Sequence, residues 1–383
     1  MVKKVAKMCG ICLLLLVCFA INAGAAEIEI GAESAAIAED WQHFLDAIPE
    51  EIADLLPEGF FSEDVEGAGE ALAEAGSISV IFDTVLRLSG ISIKDAIGLL
   101  ARICGILVLA AVLRTVTDGK SDGVWRASSL CTTATLALVI LLQQNTKFAA
   151  IGACFDTVRG LSTALLPLMG TLYAMGGNVS TAVAHHGVMS VFLAILENVC
   201  SATALPLAGI CLTMALLDSV SDGLSLRSLT ALIKRTYTFA LSLVMLLLCG
   251  VLGLQSTLGK GADTLALRTI RFAVGSFLPV VGGSVSESLR TVAGSVAYLR
   301  GTVGVGGILV LFFAFLPLFL SVLFTRMALQ LGGSVAGMLA CQREERLLAE
   351  LAGVCGYFMA IIACLFVTVS FSLTLLAHCA AAI

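Results

Sequence analysis

Long apolar stretches, nearly free of charge, recur along most of this chain at about 96–116, 127–142, 161–176, 191–217, 236–254, 302–324 and 353–378. About 20 apolar residues in a helix cross the roughly 30 Å hydrocarbon core of a bilayer, and a series of such stretches has no place in a soluble domain. Composition agrees: charged residues are 13% of the 383, against about 25% in soluble globular proteins, and the mean hydropathy is +1.01. The chain therefore reads as an all-α, polytopic helical membrane protein with about 6–8 spans.

Charge is divided unevenly along it. Of the 28 acids, 16 lie between Glu27 and Lys94, where only Arg87 and Lys94 are basic, and from Asp95 onward the balance is +5. That pattern is no polybasic nucleic-acid surface. Residues 1–26 place Lys3, Lys4 and Lys7 ahead of an apolar run from Met8 to Ile21, followed by Ala23, Gly24, Ala25 and Ala26. This order of charge, short apolar core and small residues defines a secretory signal peptide, cleaved after Ala25 or Ala26. The alternative is an uncleaved first span, although an apolar run of about 14 residues is short for a crossing. Lipid attachment at Cys18 is disfavoured by bulky Val17 before it.

Residues 27–94 then form an exported acidic segment. Trp41, Phe44, Leu45, Ile48, Ile52, Leu55 and Leu56 follow helical spacing, and Pro49 and Pro57 punctuate them, which predicts short amphipathic helices. Ser92-Ile93-Lys94-Asp95 resembles a capping box opening the first span of a polytopic domain, 95–383. Arg114, Lys120 and Arg126 follow that span and place their loop in the cytoplasm by the positive-inside rule. The same rule makes 218–235, with Arg227, Lys234 and Arg235, and 326–350, with Arg326, Arg343 and Arg346, cytoplasmic loops. Ten cysteines outside the signal peptide lie in or beside apolar stretches and none in the exported segment, so they read as small packing residues rather than a disulfide framework.

An internal repeat is the most informative pattern. Asp156-Thr157-Val158-Arg159 and the following Leu165-Leu166-Pro167-Leu168-Met169-Gly170 align, 112 residues on, with Arg268-Thr269-Ile270-Arg271 and Phe277-Leu278-Pro279-Val280-Val281-Gly282. Pro206 and Pro317 correspond at an offset of 111. The copies cover about 127–217 and 236–327, with a final span at about 353–378. Both enter after basic loops, so the repeat is parallel, and Pro and Gly predict broken or re-entrant helices at Pro167 and Pro279. Arg159, Pro167, Gly170, Glu197, Pro206, Arg271, Pro279, Gly282 and Pro317 are the structural or assembly candidates.

Little in the sequence invites chemistry. His185 and His186 point about 100° apart on a helix, and no His-Glu-x-x-His follows, so neither a metal nor any cofactor is expected. Glu197 is an acid inside an apolar stretch, which ordinarily faces a bundle interior or water. Arg102 and Arg114 lie in the first span, one expected near a partner acid and the other reaching to the interface. Gly304, Gly306 and Gly307 precede no Lys-Ser/Thr, and with Gly332, Gly333 and Gly337 they suit close helix packing. No nucleophile and base stand at intramembrane-protease spacing, so no enzyme is expected.

The run from Arg268 to Gly282, RTIRFAVGSFLPVVG, resembles the central signature of the stage III sporulation protein AE family of endospore-forming bacteria, and the plan of signal peptide, acidic exported segment and polytopic region is similar. The resemblance implies a non-enzymatic subunit, in the mother-cell membrane around the forespore, of the channel-like secretion complex that links the two cells after engulfment. It implies as partners the other stage III sporulation A proteins and, across the intermembrane space, stage II sporulation protein Q. A self-contained secondary transporter built from the two repeats is the competing reading. It calls for several buried ionisable groups, of which the sequence offers mainly Glu197.

Overall fold

A computed structural model describes residues 34–56, 60, 78–117, 122–175, 187–192, 194–195, 203–220, 227–277 and 282–377. The described residues are helical, with no strand: α1 Ser34–Asp46, α2 Glu50–Ala53, α3 Ile78–Thr117, α4 Asp122–Met175, α5 Leu205–Val220, α6 Arg227–Phe277, α7 Gly282–Met338 and α8 Gln342–Ala377. By length and composition five helical segments can cross a membrane, Ser79–Val116, Ala149–Leu172, Ser228–Val251, Gly301–Met338 and Gln342–Thr374, and two shorter ones are apolar, Ala127–Leu142 and Pro206–Ala215. A helical membrane protein is thus what the apolar stretches build.

The α7–α8 hairpin is the centre of the bundle. It packs on α3 and α4 through α7 and on α5 and α6 through α8. Of the most apolar windows of α7 and α8, 61% is buried against protein, but only 11% of that of α6, so the hairpin fills the core while α6 lies outside it. Phe313, Leu329, Leu347, Ile361 and Leu365 are fully enclosed. Small residues let the helices close. A Cβ on Gly332 would lie 2.8 Å from Ile103 Cγ2 of α3, and one on Gly307 would lie 3.1 Å from Leu165 of α4. The packing role expected of these two glycines is what the structure shows.

The amphipathic spacing before residue 60 also folds as expected. Trp41, Phe44, Ile48, Ile52, Leu56 and Phe60 are buried, with the Trp41 ring 5.6 Å from both Phe44 and Phe60. Thr171 Oγ1 of α4 lies 2.7 Å from Asp40 Oδ2, fixing α1 beside the C-terminal end of α4.

Several boundaries differ from the sequence expectation. The helix expected to open after a capping box at Ser92–Asp95 already begins at Ile78, and Ser92 is buried in its middle. The apolar stretches 127–142 and 161–176 are parts of one helix, α4, which carries Pro167 without interruption. The break expected at Pro167 is absent: the proline lacks only the N–H that would meet the Thr163 carbonyl, and α4 runs on through that one lost bond. Likewise α7 runs through Pro317. Pro279 lies outside the described residues, between the end of α6 and the start of α7. Arg159 and Gly170 therefore share one helix, while Arg271 is in α6 and Gly282 opens α7. Pro206 is the second residue of α5, where a missing N–H costs least. The signal peptide, His185, His186 and Glu197 fall outside the described residues.

Helix length adds a constraint. At 1.5 Å per residue, α3, α4, α6, α7 and α8 are roughly 54–85 Å long, well beyond a hydrocarbon core of about 30 Å.

Candidate functional site

The segment expected as a loop over 326–350 is mostly helix, closed by the three-residue turn Leu339–Cys341. Ala340 N–H reaches Gly337 O at 3.1 Å and Cys341 N–H reaches Ala336 O at 2.9 Å, the pairing of a Schellman cap, with Ala340 in the left-handed position at φ 57°. A residue other than glycine there costs about 1 kcal/mol. The Ala340 carbonyl accepts from Arg114 at the end of α3, so the turn is pinned from outside its own hairpin. Of the first-span arginines, Arg114 meets this carbonyl and Arg102 is exposed.

From this turn outward along α7 and α8 the bundle collects polar groups. Glu344, 4% exposed, lies with Oε1 2.9 Å from Thr132 Oγ1 and 3.0 Å from Thr133 Oγ1 of α4. Both hydroxyls also lie within reach of the Ser129 carbonyl, so each single proton is divided between helix and carboxylate. One helical turn or more further along α8, Glu350 pairs with Lys234 of α6 at 3.2 Å. Lys234 gets there through a notch: a Cβ on Gly353 would lie 2.8 Å from its ammonium. Arg326 of α7 uses the next notch, with its guanidinium carbon 3.0 Å from a Cβ on Gly356, and its Nη1 is 4.0 Å from Met359 Sδ. Lys147 of α4 donates to Ser321 of α7. Cys341, in the turn, has its thiol pushed up first by burial and then by the nearby Glu344 carboxylate, against a smaller opposing effect of Arg114.

Reading the sequence located the basic residues of this layer but assigned them to loops. It did not single out Glu344, Glu350, Lys147, Thr132 or Thr133. Their only visible signal was a charge or hydroxyl pair within a strongly apolar pattern. Among the candidate residues, Arg159 and Pro167 are exposed on α4, on one stripe with Thr163, while Gly170 is half-buried. They do not join the polar layer. Among the described residues, no three His, Cys, Asp or Glu side chains converge as metal ligands would.

A bundle of long apolar helices around a hairpin, with polar contacts tying its helices together along that hairpin, defines a helical membrane protein whose charged groups hold helix to helix. The family description "Stage III sporulation protein AE" matches residues 69–381, and the chain belongs to that family, whose name assigns it to sporulation. It is similar to the stage III sporulation protein AE of Bacillus subtilis (strain 168), with 24% identity over 177 residues, 45% of this chain and 44% of that protein. The chain thus aligns with less than half of that relative's length. No solved structure matches it.

Proposed function

We propose that this protein is a non-enzymatic, multi-pass membrane subunit of the channel complex that joins mother cell and forespore during endospore formation, with its N-terminal segment exported. The partners in this reading are the other stage III sporulation A proteins and stage II sporulation protein Q across the intermembrane space. One observation carries the assembly role. Exposed apolar side chains run from Val108, Val112 and Val116 on α3, at 54–60% exposure, to Phe239, Leu246 and Leu254 on α6, at 67–70%. Contacts fix their depths: Arg114 is level with Ala340, and Tyr237 with Tyr357 in a ring contact of 5.6 Å, from which α6 and α8 run on together. From the level of Ala340 to that of Leu254 is about 33 residues of α8, or roughly 50 Å. A hydrocarbon core of about 30 Å covers little more than half of that surface. The remainder calls for protein partners, and the exposed Arg159 on α4 offers a charged point for them.

The test is genetic and biochemical. Deleting the gene should stop sporulation after engulfment and leave vegetative growth intact, and the tagged protein should recover the other complex members from sporulating cells. Arg159→Ala should reduce that recovery. Normal sporulation of the deletion strain would overturn the reading.

The charges Lys234, Glu350 and Lys147, buried or partly buried between helices, favour a second reading, a self-contained secondary transporter, since such groups mark ion pathways. Movement of a small solute against its gradient by the purified protein alone would put it first.

A further inference from the structure

Beside the α7–α8 turn, a cavity of about 230 Å³ opens between the last turns of α3, the first turns of α4 and the N-terminus of α8. Three arginines line it, Arg114, Arg343 and Arg346, with Ser128 and Ser129. The carboxylate in its wall, Glu344, is the buried group engaged by Thr132 and Thr133. Positive charge is therefore in excess, and the N-terminus of the 36-residue helix α8 adds its partial positive charge on the same side.

We propose that this cavity is a binding site for a phosphate ester, the headgroup of an anionic phospholipid. Guanidinium forks match pairs of phosphate oxygens, and the first amides of a helix, which lack intrahelical acceptors, suit the same anion. The apolar parts of the wall decide between a lipid and a soluble ester. Ala110 and Leu113 line the cavity, and the neighbouring Val112, Val116 and Met338 are 54%, 60% and 86% exposed. A soluble phosphate ester gains nothing from that rim, whereas acyl chains lie along it with the headgroup between the arginines. The site stands at the end of α3 and of the α7–α8 hairpin, three segments apolar enough to cross a membrane, which is where lipid phosphates are found. The inference needs only a membrane protein, and not the assembly role.

The test uses the full chain purified in neutral detergent, with phosphatidylglycerol, phosphatidylcholine and inorganic phosphate as separate probes. Bound lipid is counted by native mass spectrometry and stability is followed by thermal unfolding. Phosphatidylglycerol should bind and stabilise, and phosphatidylcholine should not. Arg343→Gln with Arg346→Gln should weaken phosphatidylglycerol binding about tenfold or more. The single exposed change Arg346→Gln should weaken it less, and Arg235→Gln, a basic residue elsewhere, should leave it unchanged. Stabilisation by inorganic phosphate equal to that by phosphatidylglycerol would keep the anion chemistry and overturn the lipid source. Equal binding of the two lipids, or a loss with Arg235→Gln as large as with the cavity variants, would overturn the site.

Discussion

Replacing Lys234 and Glu350 singly and together probes the polar layer most directly. Their ion pair joins α6 to α8 at 3.2 Å, with side chains 14% and 9% exposed. Dehydrating two charges costs nearly as much as their attraction returns, so the intact pair adds little net stability, but removing one partner leaves the other charge buried. Breaking a buried pair costs about 3–5 kcal/mol, and the residual exposure of Lys234 puts Lys234→Met near the lower figure, about 3 kcal/mol. Glu350→Gln should cost about as much, whereas the double variant should recover to within about 1 kcal/mol of the parent, a strong coupling between neighbours. Gly353→Ala supplies a second arm, because its Cβ would stand 2.8 Å from the Lys234 ammonium and must push it from the notch. That change should destabilise the parent and have a smaller effect once Lys234 is methionine. Thermal midpoints of the six purified proteins in one detergent give the comparison. Simple addition of the two single losses in the double variant, or an alanine cost at 353 independent of Lys234, would refute the coupling.

Gly332→Ala should destabilise by about 1–3 kcal/mol in the same melts, since the new methyl would stand 2.8 Å from Ile103 Cγ2, and it should cost less in an Ile103→Ala background, which lacks that atom. The Cys341 thiol, raised by burial and by Glu344, holds less thiolate at neutral pH than an ordinary cysteine, so alkylation in the folded protein should be slow, speed up as pH rises, and quicken with Glu344→Gln. An alkylation rate at neutral pH equal to that of the same thiol after unfolding would contradict this. Cysteines placed at Asp54, Arg227 and Glu345 should label from outside the cell at the first position and from inside at the other two; external labelling at 227 would sink this topology.

What the sequence made legible was what depends on near neighbours. Apolar runs, the amphipathic rhythm of Trp41, Phe44, Ile48 and Ile52, and small residues such as Gly332 act through local spacing, and the structure buries or packs them accordingly. The polar layer was not legible because its pairings are remote: Thr132 and Glu344 are 212 positions apart, and Lys234 and Glu350 are 116 apart. A charge in an apolar run looks like a loop when its partner is out of view. For that reason Arg343, Arg346 and Glu350 read as a cytoplasmic loop although they lie in α8.

The same effect explains α4. The polar run Gln143-Gln144-Asn145-Thr146-Lys147 separates two apolar stretches, and hydropathy alone divides them into two spans. In the fold Lys147 reaches Ser321 and Cys154 Sγ lies 3.7 Å from Ala314 O, so α7 runs antiparallel beside α4 through the polar run and no turn is needed there. Pro167 is a related case. Proline there removes the one N–H that would meet the Thr163 carbonyl, the rest of α4 keeps its bonds, and the residue marks a lost bond and not the end of a helix. Thr171 has a different role: its Oγ1 lies 2.7 Å from Asp40 Oδ2 and ties α1 to α4. Thr171→Val, which keeps the shape and removes the hydroxyl, should therefore loosen α1 and leave α4 intact. Protease sensitivity of the segment around Trp41 should rise in that variant; unchanged digestion would mean that the Thr171–Asp40 contact does not hold α1 in place.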